Sequence, residues 1–481
     1  MGFQATSDNA ARATTKKGRP PVLKPGRNCL RITNARRAAV LIDASNYYAR
    51  LEHALSHAKR SILIIGWDFD GRIKLCPDHQ DCYPLGDFLR SLVEERAELQ
   101  IRILVWSGTV VHGPGASLPL LVGAPWQDHP RITLQLDHHH PLYAAHHQKL
   151  VAIDDVIAFA GGIDLTVKRW DTSGHSEAHP FRFDPDGAAY PPVHDVHMVV
   201  DGQAAQVIAD IARERWRVAT GDVLNASQDQ CDLWPPDLAP DFTDTPIAIA
   251  RTVPAWGKTP AVGEIAALTE DLFSAARHSI YIESQYFTAS NVRRFIEKSL
   301  AASRGPEIVV LVKRSSPGTL ERFVMGGNRD RLMRHMRRAD RHNRLRFYYP
   351  VVPGKHASCE VLVHSKVVIV DDEIIRIGSS NLNNRSMGLD TECDLAIEAS
   401  NDDQCQAIAR LRERLLAEHL GVAPEAIAQA VAKHGSLIRC IEDCNQNGRG
   451  LRPFPETDIE GPTEPIPGTG LLDPPRPLEL L

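Results

Sequence analysis

The sequence predicts an α/β fold: two similar α/β/α domains with mixed sheets, related by a pseudo-twofold axis and sharing one active site at their interface. Three observations carry this expectation. Short apolar strands alternate with helical segments, the pattern recurs at a nearly fixed offset, and each copy contains the string His-x-Lys-x4-Asp.

The strands come first. Ala58-Lys59-Arg60-Ser61-Ile62-Leu63-Ile64-Ile65 resembles Ala276-Arg277-His278-Ser279-Ile280-Tyr281-Ile282, and helical patterns over Tyr48–Ala58 and Ile265–Ala276 run into them. A second apolar strand follows in each copy, Ile101–Trp106 and Ile308–Val312, and then the motif strands Lys149–Ile153 and Lys366–Val370. Several of these runs are continuously apolar rather than alternating, as in a strand buried on both faces. Ser61 and Ser279 are 218 residues apart, and His147 and His364 are 217 apart. Two features far apart in the chain thus keep nearly one spacing.

This gives a first catalytic half over 29–240 and a second over 245–420, joined near the Pro-rich stretch Trp234–Pro246 and closed by a helix over Asp402–Leu420. Residues 1–28 read as a disordered basic arm. Residues 421–481 read as a Pro-rich extension, tail-like from about Gln446.

Composition narrows the function classes. Hydrophobic residues make up 43% and charged residues 24%, as in a soluble globular protein. A formal net charge of −5 argues against a chain built to coat nucleic acid. No apolar run approaches the roughly 18 residues of a membrane-spanning helix. The N-terminus lacks the apolar stretch of a Sec signal, so the expected location is cytoplasmic, or outside the cell by a non-Sec route, with peripheral membrane contact. Nine scattered cysteines suit free thiols.

The chemistry lies in the two motifs. His147-Gln148-Lys149 leads to Asp154, and Gly161-Gly162-Ile163-Asp164 follows; His364-Ser365-Lys366 leads to Asp371, and Gly378-Ser379-Ser380-Asn381 follows. Only about 0.05 chance copies of such a string are expected in a chain of this length and composition. On a strand, residues i and i+2 share a face, so each half offers one imidazole and one ammonium to a common cleft. Lys149 and Lys366, with Asn381, would supply charge and donors to phosphoryl oxygens. The turns at Gly162 and Ser379 would let backbone approach the oxyanion. One neutral histidine could attack phosphorus while a protonated one serves the leaving alcohol, and the pair would titrate as a unit.

Each histidine also needs an orienting carboxylate. Asp195 and Glu392 each stand just before an apolar strand and are the candidates, whereas Asp154 and Asp371 fall at strand ends and read as structural. The histidines at 138–140, with His146 and His147, could suggest a metal, but three adjacent loop histidines cannot all face one ion. No metal or other cofactor is expected to be needed by this chemistry.

These strings resemble the phospholipase D superfamily. Over roughly 35–420 the chain looks like the eukaryotic-type, phosphatidylcholine-cleaving branch in catalytic-core-only form. The strings are Gly161–Leu165 with Arg169-Trp170-Asp171, His194-Asp195, Ile282–Phe287 and Ile377–Met387. The resemblance implies His147 as nucleophile, His364 as general acid and base, and Gln285 and Arg385 near the site. Ser284 departs from the Asn usual in that branch, and Asp164 answers Asn381, so the halves are not equivalent donors.

Two segments could meet lipid, although a buried connection is the more ordinary reading of the first and a solvated face of the second. Leu118–Trp126 is apolar and loop-like, and Arg329–Arg341 reads as a basic amphipathic helix with Arg331, Arg334, Arg338 and Arg341 in one stripe. The expected activity is hydrolysis of a glycerophospholipid to phosphatidate and free alcohol through a phosphohistidine, with transphosphatidylation to other alcohols. The expected partner is a phospholipid at a membrane surface, not nucleic acid, met by a monomer with both halves in one chain. The rivals are a phospholipid synthase of cardiolipin or phosphatidylserine type, a nuclease of the same superfamily, and a non-catalytic lipid-binding module.

Overall fold

The computed structural model describes residues 20–108, 121–227, 231–315, 326–454, 460–464, 466 and 473–477. The strands are β1 (Arg31–Ile42), β2 (Ser61–Gly66), β3 (Gln100–Trp106), β4 (Ile132–Asp137), β5 (Leu150–Ile153), β6 (Ile157–Gly161), β7 (Val193–His194), β8 (Val196–Asp201), β9 (Phe242–Val253), β10 (Val262–Gly263), β11 (Ser279–Ser284), β12 (Glu307–Val312), β13 (Leu345–Val352), β14 (Cys359–Glu360), β15 (Leu362–Val363), β16 (Lys366–Val370), β17 (Ile374–Gly378), β18 (Glu392–Glu398) and β19 (Gly450–Pro453). The helices are α1 (Ala44–Ser56), α2 (Leu85–Glu95), α3 (Gln203–Thr220), α4 (Glu264–Ala275), α5 (Ser290–Ala301), α6 (Gly327–Ala339), α7 (Asn384–Gly388), α8 (Asp402–Leu420), α9 (Pro424–His434) and α10 (Leu437–Cys444).

The same pairing order occurs in both halves. β2 lies parallel to β3 and β3 to β4; β2 then runs antiparallel to β5, β5 to β6 and β6 to β8. Correspondingly, β11 lies parallel to β12 and β12 to β13, with β16, β17 and β18 following antiparallel from β11. The halves meet through β1, which pairs with β8 on one side and β9 on the other, and β9 pairs in turn with β18. One hydrogen-bonded mixed sheet therefore crosses the molecule.

Helices cover both faces, which is why the central strands are apolar throughout. α3, α8, α9 and α10 pack on one face in a single core that includes Val40, Leu150, Ile249 and Leu395 from both halves. On the other face, Tyr47, Leu51 and Leu89 of α1 and α2 close the first half, and Leu268, Ile296 and Met333 of α4, α5 and α6 close the second.

Asp154 and Asp371 do the same work in the two halves. Each sits at a left-handed turn, φ 51° and 55°, followed by a second aspartate of positive φ. Asp154 accepts the backbone N–H groups of Lys59, Arg60 and Ser61 at 2.6–2.7 Å, and Asp371 those of Arg277, His278 and Ser279 at 2.7–2.9 Å. Three charge-assisted bonds tie each motif strand to the start of β2 or β11.

Two expectations are corrected, and two segments that could meet lipid find their places. Within the basic arm, residues 1–19 lie outside the described residues, but from residue 22 the chain is packed: Leu23 is buried, and Val22 and Leu23 donate to Glu398. Residues 421–454 are body rather than extension, because Ile427, Leu437 and Ile441 join the shared core and β19 pairs with β13. Of the apolar loop, residues 118–120 lie outside the described residues, whereas Leu121, Ala124 and Trp126 are buried, so this part is a core connection. Three arginines of the stripe hold the tail, Arg331, Arg334 and Arg338 donating to the carbonyls of Glu464, Pro462 and Gly461, while Arg338 and Arg341 stay exposed. No described helix is long and apolar enough to cross a membrane.

Candidate active site

Both motif histidines enter one pocket of about 400 Å³, together with Asp164, Arg169, Gln285 and Asn381. They are brought there by two short cross-half strand contacts. β15 pairs in parallel with β7, and the His364 N–H donates to the His194 carbonyl at 2.8 Å. In the matching place, a bridge joins His146 to Thr391, and the His147 N–H donates to the Thr391 carbonyl at 2.9 Å.

The carboxylates cross between halves. His147 Nδ1 lies 3.0 Å from Oε2 of Glu392, and His364 Nδ1 lies 2.6 Å from Oδ2 of Asp195. With Nδ1 taken by a carboxylate, Nε2 is the nitrogen left to each ring for chemistry. Both imidazoles are held well below the ordinary histidine value, by burial first and then by lysine charges. Glu392 is pushed up to about 7 by burial, against hydrogen bonds from Ser379 and Ser386.

The lysines are both buried but differ in company. Lys149 pairs with Asp164 at 3.1 Å and donates to the His147 carbonyl at 2.8 Å. Lys366 donates to the His364 carbonyl, and its side-chain neighbours are His364 Nδ1 at 3.3 Å and Gln285 Oε1 at 3.4 Å. Burial brings Lys366 down to about 7. Asn381, in the place answering Asp164, is buried with its Oδ1 lacking a hydrogen-bond partner.

Gly162 and Ser379 are placed differently from expectation. A Cβ on Gly162 would stand 2.1 Å from Asp195 Oδ1, so the missing side chain is the space that the carboxylate fills. Ser379 is fully buried, and its hydroxyl donates to Glu392. Both support the carboxylates instead of facing phosphate. Arg385 borders the pocket, but its guanidinium is paired with Asp390 at 2.8–2.9 Å and donates to the Tyr143 carbonyl. It therefore holds the loop of the second motif against the first half.

The pocket also contains groups that spacing did not single out. Arg169 comes from the turn after the first motif, and its Nε is buried without a hydrogen-bond partner. Trp67 stacks on Trp106 at 5.8 Å, and these rings with Tyr143 and Tyr286 form apolar walls. Their signal in the sequence is weak, because single aromatics after a strand are ordinary core residues. The histidines at 138–140 form no cluster with metal-ligand geometry among the described residues.

Two carboxylate-held imidazoles and two lysines around one pocket are the equipment of a phosphoryl-transfer site. Comparison with known proteins agrees. Residues 270–416 match the family model described as the PLD-like domain of cardiolipin synthase. Phospholipase D A of Dictyostelium discoideum is 24% identical over 468 residues, covering 80% of this chain and 35% of that protein. Phospholipase D1 of Schizosaccharomyces pombe is 22% identical over 510 residues, covering 84% of this chain and 36% of its own length. The chain thus spans about a third of these two relatives. In fold, it is similar to the crystal structure of phosphatidylserine synthase from Haemophilus influenzae, with a TM-score of 0.53 at 15% identity over 91% of this chain and 92% of that one. Residues 270–416 carry a PLD-like domain, and most of the chain is similar in sequence to phospholipases D.

Proposed function

We propose that the protein cleaves the headgroup ester of a glycerophospholipid such as phosphatidylcholine, by two displacements at phosphorus. In the first, Nε2 of His147 attacks, an N–P bond forms, and the bond to the headgroup alcohol breaks. His364 gives its proton to the departing oxygen. In the second, His364 takes a proton from water or another alcohol, whose oxygen attacks phosphorus and breaks the N–P bond. His147 is the more open ring, 17% exposed against 6% for His364, which suits the nucleophile. The negative charge of a bound diester offsets the lysines that depress His364, so the acid form is favoured when substrate is present.

The observation carrying this reading is the pair of crossed contacts, Glu392 to His147 and Asp195 to His364. The aromatic walls beside a polar floor support a substrate with a phosphate and an apolar body. The test is incubation with phosphatidylcholine vesicles and ethanol. Choline, phosphatidate and phosphatidylethanol are expected, and absence of all three refutes the reading.

A second reading, transfer of the phosphatidyl group to a dedicated alcohol, is favoured by the family model, whose description names a synthase. Headgroup release that requires an added alcohol and does not proceed with water would select it.

A further inference from the structure

Behind the active site lies a second set of buried polar side chains. We propose that Asp43, His175, His194 and Glu418 form a structural binding site for one divalent transition-metal ion, with zinc the best fit, that pins the two halves together behind Asp195.

The donor atoms have the arrangement of a coordination shell. His175 Nε2 lies 3.0 Å and His194 Nδ1 2.7 Å from Oε1 of Glu418, while Asp43 oxygens stand 3.3 Å from His194 Nδ1 and 3.7 Å from His175 Nε2. All four donor atoms lie within 4.8 Å of one another. Ligand bonds of about 2.0–2.1 Å in a tetrahedron give edges of about 3.3–3.4 Å, in the middle of the observed range. Two imidazoles and two carboxylates suit zinc in chemistry as well as number.

A second observation comes from Asp43. It is 1% exposed, yet neither carboxylate oxygen makes a hydrogen bond, and its nearest cationic partners are His194 Nδ1 at 3.3 Å and His175 Nε2 at 3.7 Å. A buried, unsatisfied carboxylate is costly, and a cation at the centre of the set would satisfy it. The backbone at Asp43 is at φ 66°, ψ 154°, a region that side chains rarely adopt. Here the unusual backbone turns the carboxylate inward, and Asp43 makes no side-chain cap for α1.

The surrounding shell matches as well. The other nitrogen of each histidine faces a carboxylate: His175 Nδ1 is 3.0 Å from Asp171 Oδ2, and His194 Nε2 is 2.9 Å from Glu283 Oε2. Such partners fix the ring and raise its basicity toward a metal. Asp171 is itself offset by Arg182 at 2.9 Å. Arg449, also nearby, gives its Nη groups to the carbonyls of Ser173 and Gly174. With neutral histidines, the two negative charges of Asp43 and Glu418 balance one divalent ion.

The consequence for the active site is positional. His194 directly precedes Asp195, and the Asp43 N–H donates to the Asp195 carbonyl at 2.8 Å. Asp43, His175 and His194 come from the first half and Glu418 from α8, so one ion would fix the seam that presents Asp195 to His364.

The test is elemental analysis of the full chain expressed in minimal medium supplemented with zinc, and separately with cobalt so that metal enters during folding. About one zinc per chain is expected, and the cobalt form should show the visible absorption of tetrahedral N/O cobalt. Asp43→Asn and His175→Gln should lower the zinc content at least fivefold, while Lys366→Ala, outside the set, should retain it. Less than about 0.1 equivalent of any transition metal in the wild-type chain, with no cobalt band, overturns the proposal. That result would leave an ion-pair network of imidazoliums and carboxylates. Because the wild-type readouts need no variant, misfolding of Asp43→Asn does not decide the question.

Discussion

Glu392, from the second half, holds Nδ1 of His147, from the first, at 3.0 Å. Replacing the acceptor while keeping its shape leaves the ring free to take the wrong tautomer. Glu392→Gln and Asp195→Asn should each lower kcat by about 10²- to 10⁴-fold with little change in KM, the pattern for an orienting carboxylate. Gly162→Ala should resemble Asp195→Asn, because the new methyl would occupy the place of Asp195 Oδ1. A Gly162→Ala enzyme with wild-type kcat would show that Asp195 need not stand where it does.

Removing the acid should isolate the first displacement. In His364→Asn, a diester with a nitrophenolate leaving group needs no proton donor. One equivalent of nitrophenolate should appear in a burst, and mass spectrometry should place the phosphoryl adduct on His147. An adduct elsewhere would reassign the nucleophile.

The pH profile of kcat, with substrate bound and His364 protonated, should be bell-shaped around neutrality. Glu392 titrates near 7 in the folded chain and must be ionised to accept from His147, so activity falls as pH drops through that value. Lys366 also titrates near 7 and must be charged to hold phosphoryl oxygens, so activity falls again as pH rises. Lys366→Arg should move the alkaline limb upward. The limbs describe a coupled set of groups, not isolated residues.

Stability should respond in the opposite sense to function. The Lys366 value is depressed from 10.5 to about 7, so folding disfavours its charged form. That cost is full below pH 7 and fades as pH rises toward 10.5, because the unfolded chain then binds more protons. Lys366→Met should therefore raise Tm at pH 6, by more than it does at pH 9, while abolishing turnover. Calorimetry at the two pH values checks the sign.

Asp154→Ala and Asp371→Ala should each cost about 2–4 kcal/mol in urea unfolding, since each removes three charge-assisted backbone bonds. Asp154→Ala should cost more, because Asp154 is fully buried while the backbone partners of Asp371 are partly exposed.

The alternation of strands and helices, the repeat and the location of the motif strands could all be read from local pattern. So could two carboxylates, one just before β8 and one at the start of β18. The crossing could not: His147 and Glu392 are 245 residues apart, and no periodicity says which carboxylate meets which ring. Gly162 and Ser379 were legible as a turn, but what fills the space beside them depends on a neighbouring strand. Arg385 carries a charge that reads as phosphate-binding until Asp390 is seen beside it. Residues 20–28 look like a tail because their polar composition hides Leu23 and the acceptor Glu398. The set around Asp43 spans 375 residues, with two members in loops, one in β7 and one in α8, and offers no ligand spacing to recognise.

The crossed contacts also impose an order on biosynthesis. On a ribosome, His147 emerges long before Glu392, and Asp195 long before His364. A nascent chain therefore carries bare imidazoles with no held tautomer until the last strands of the second half are out. Reactivity toward phosphodiesters would begin late in translation, when nearly all of the chain that shields the pocket already exists.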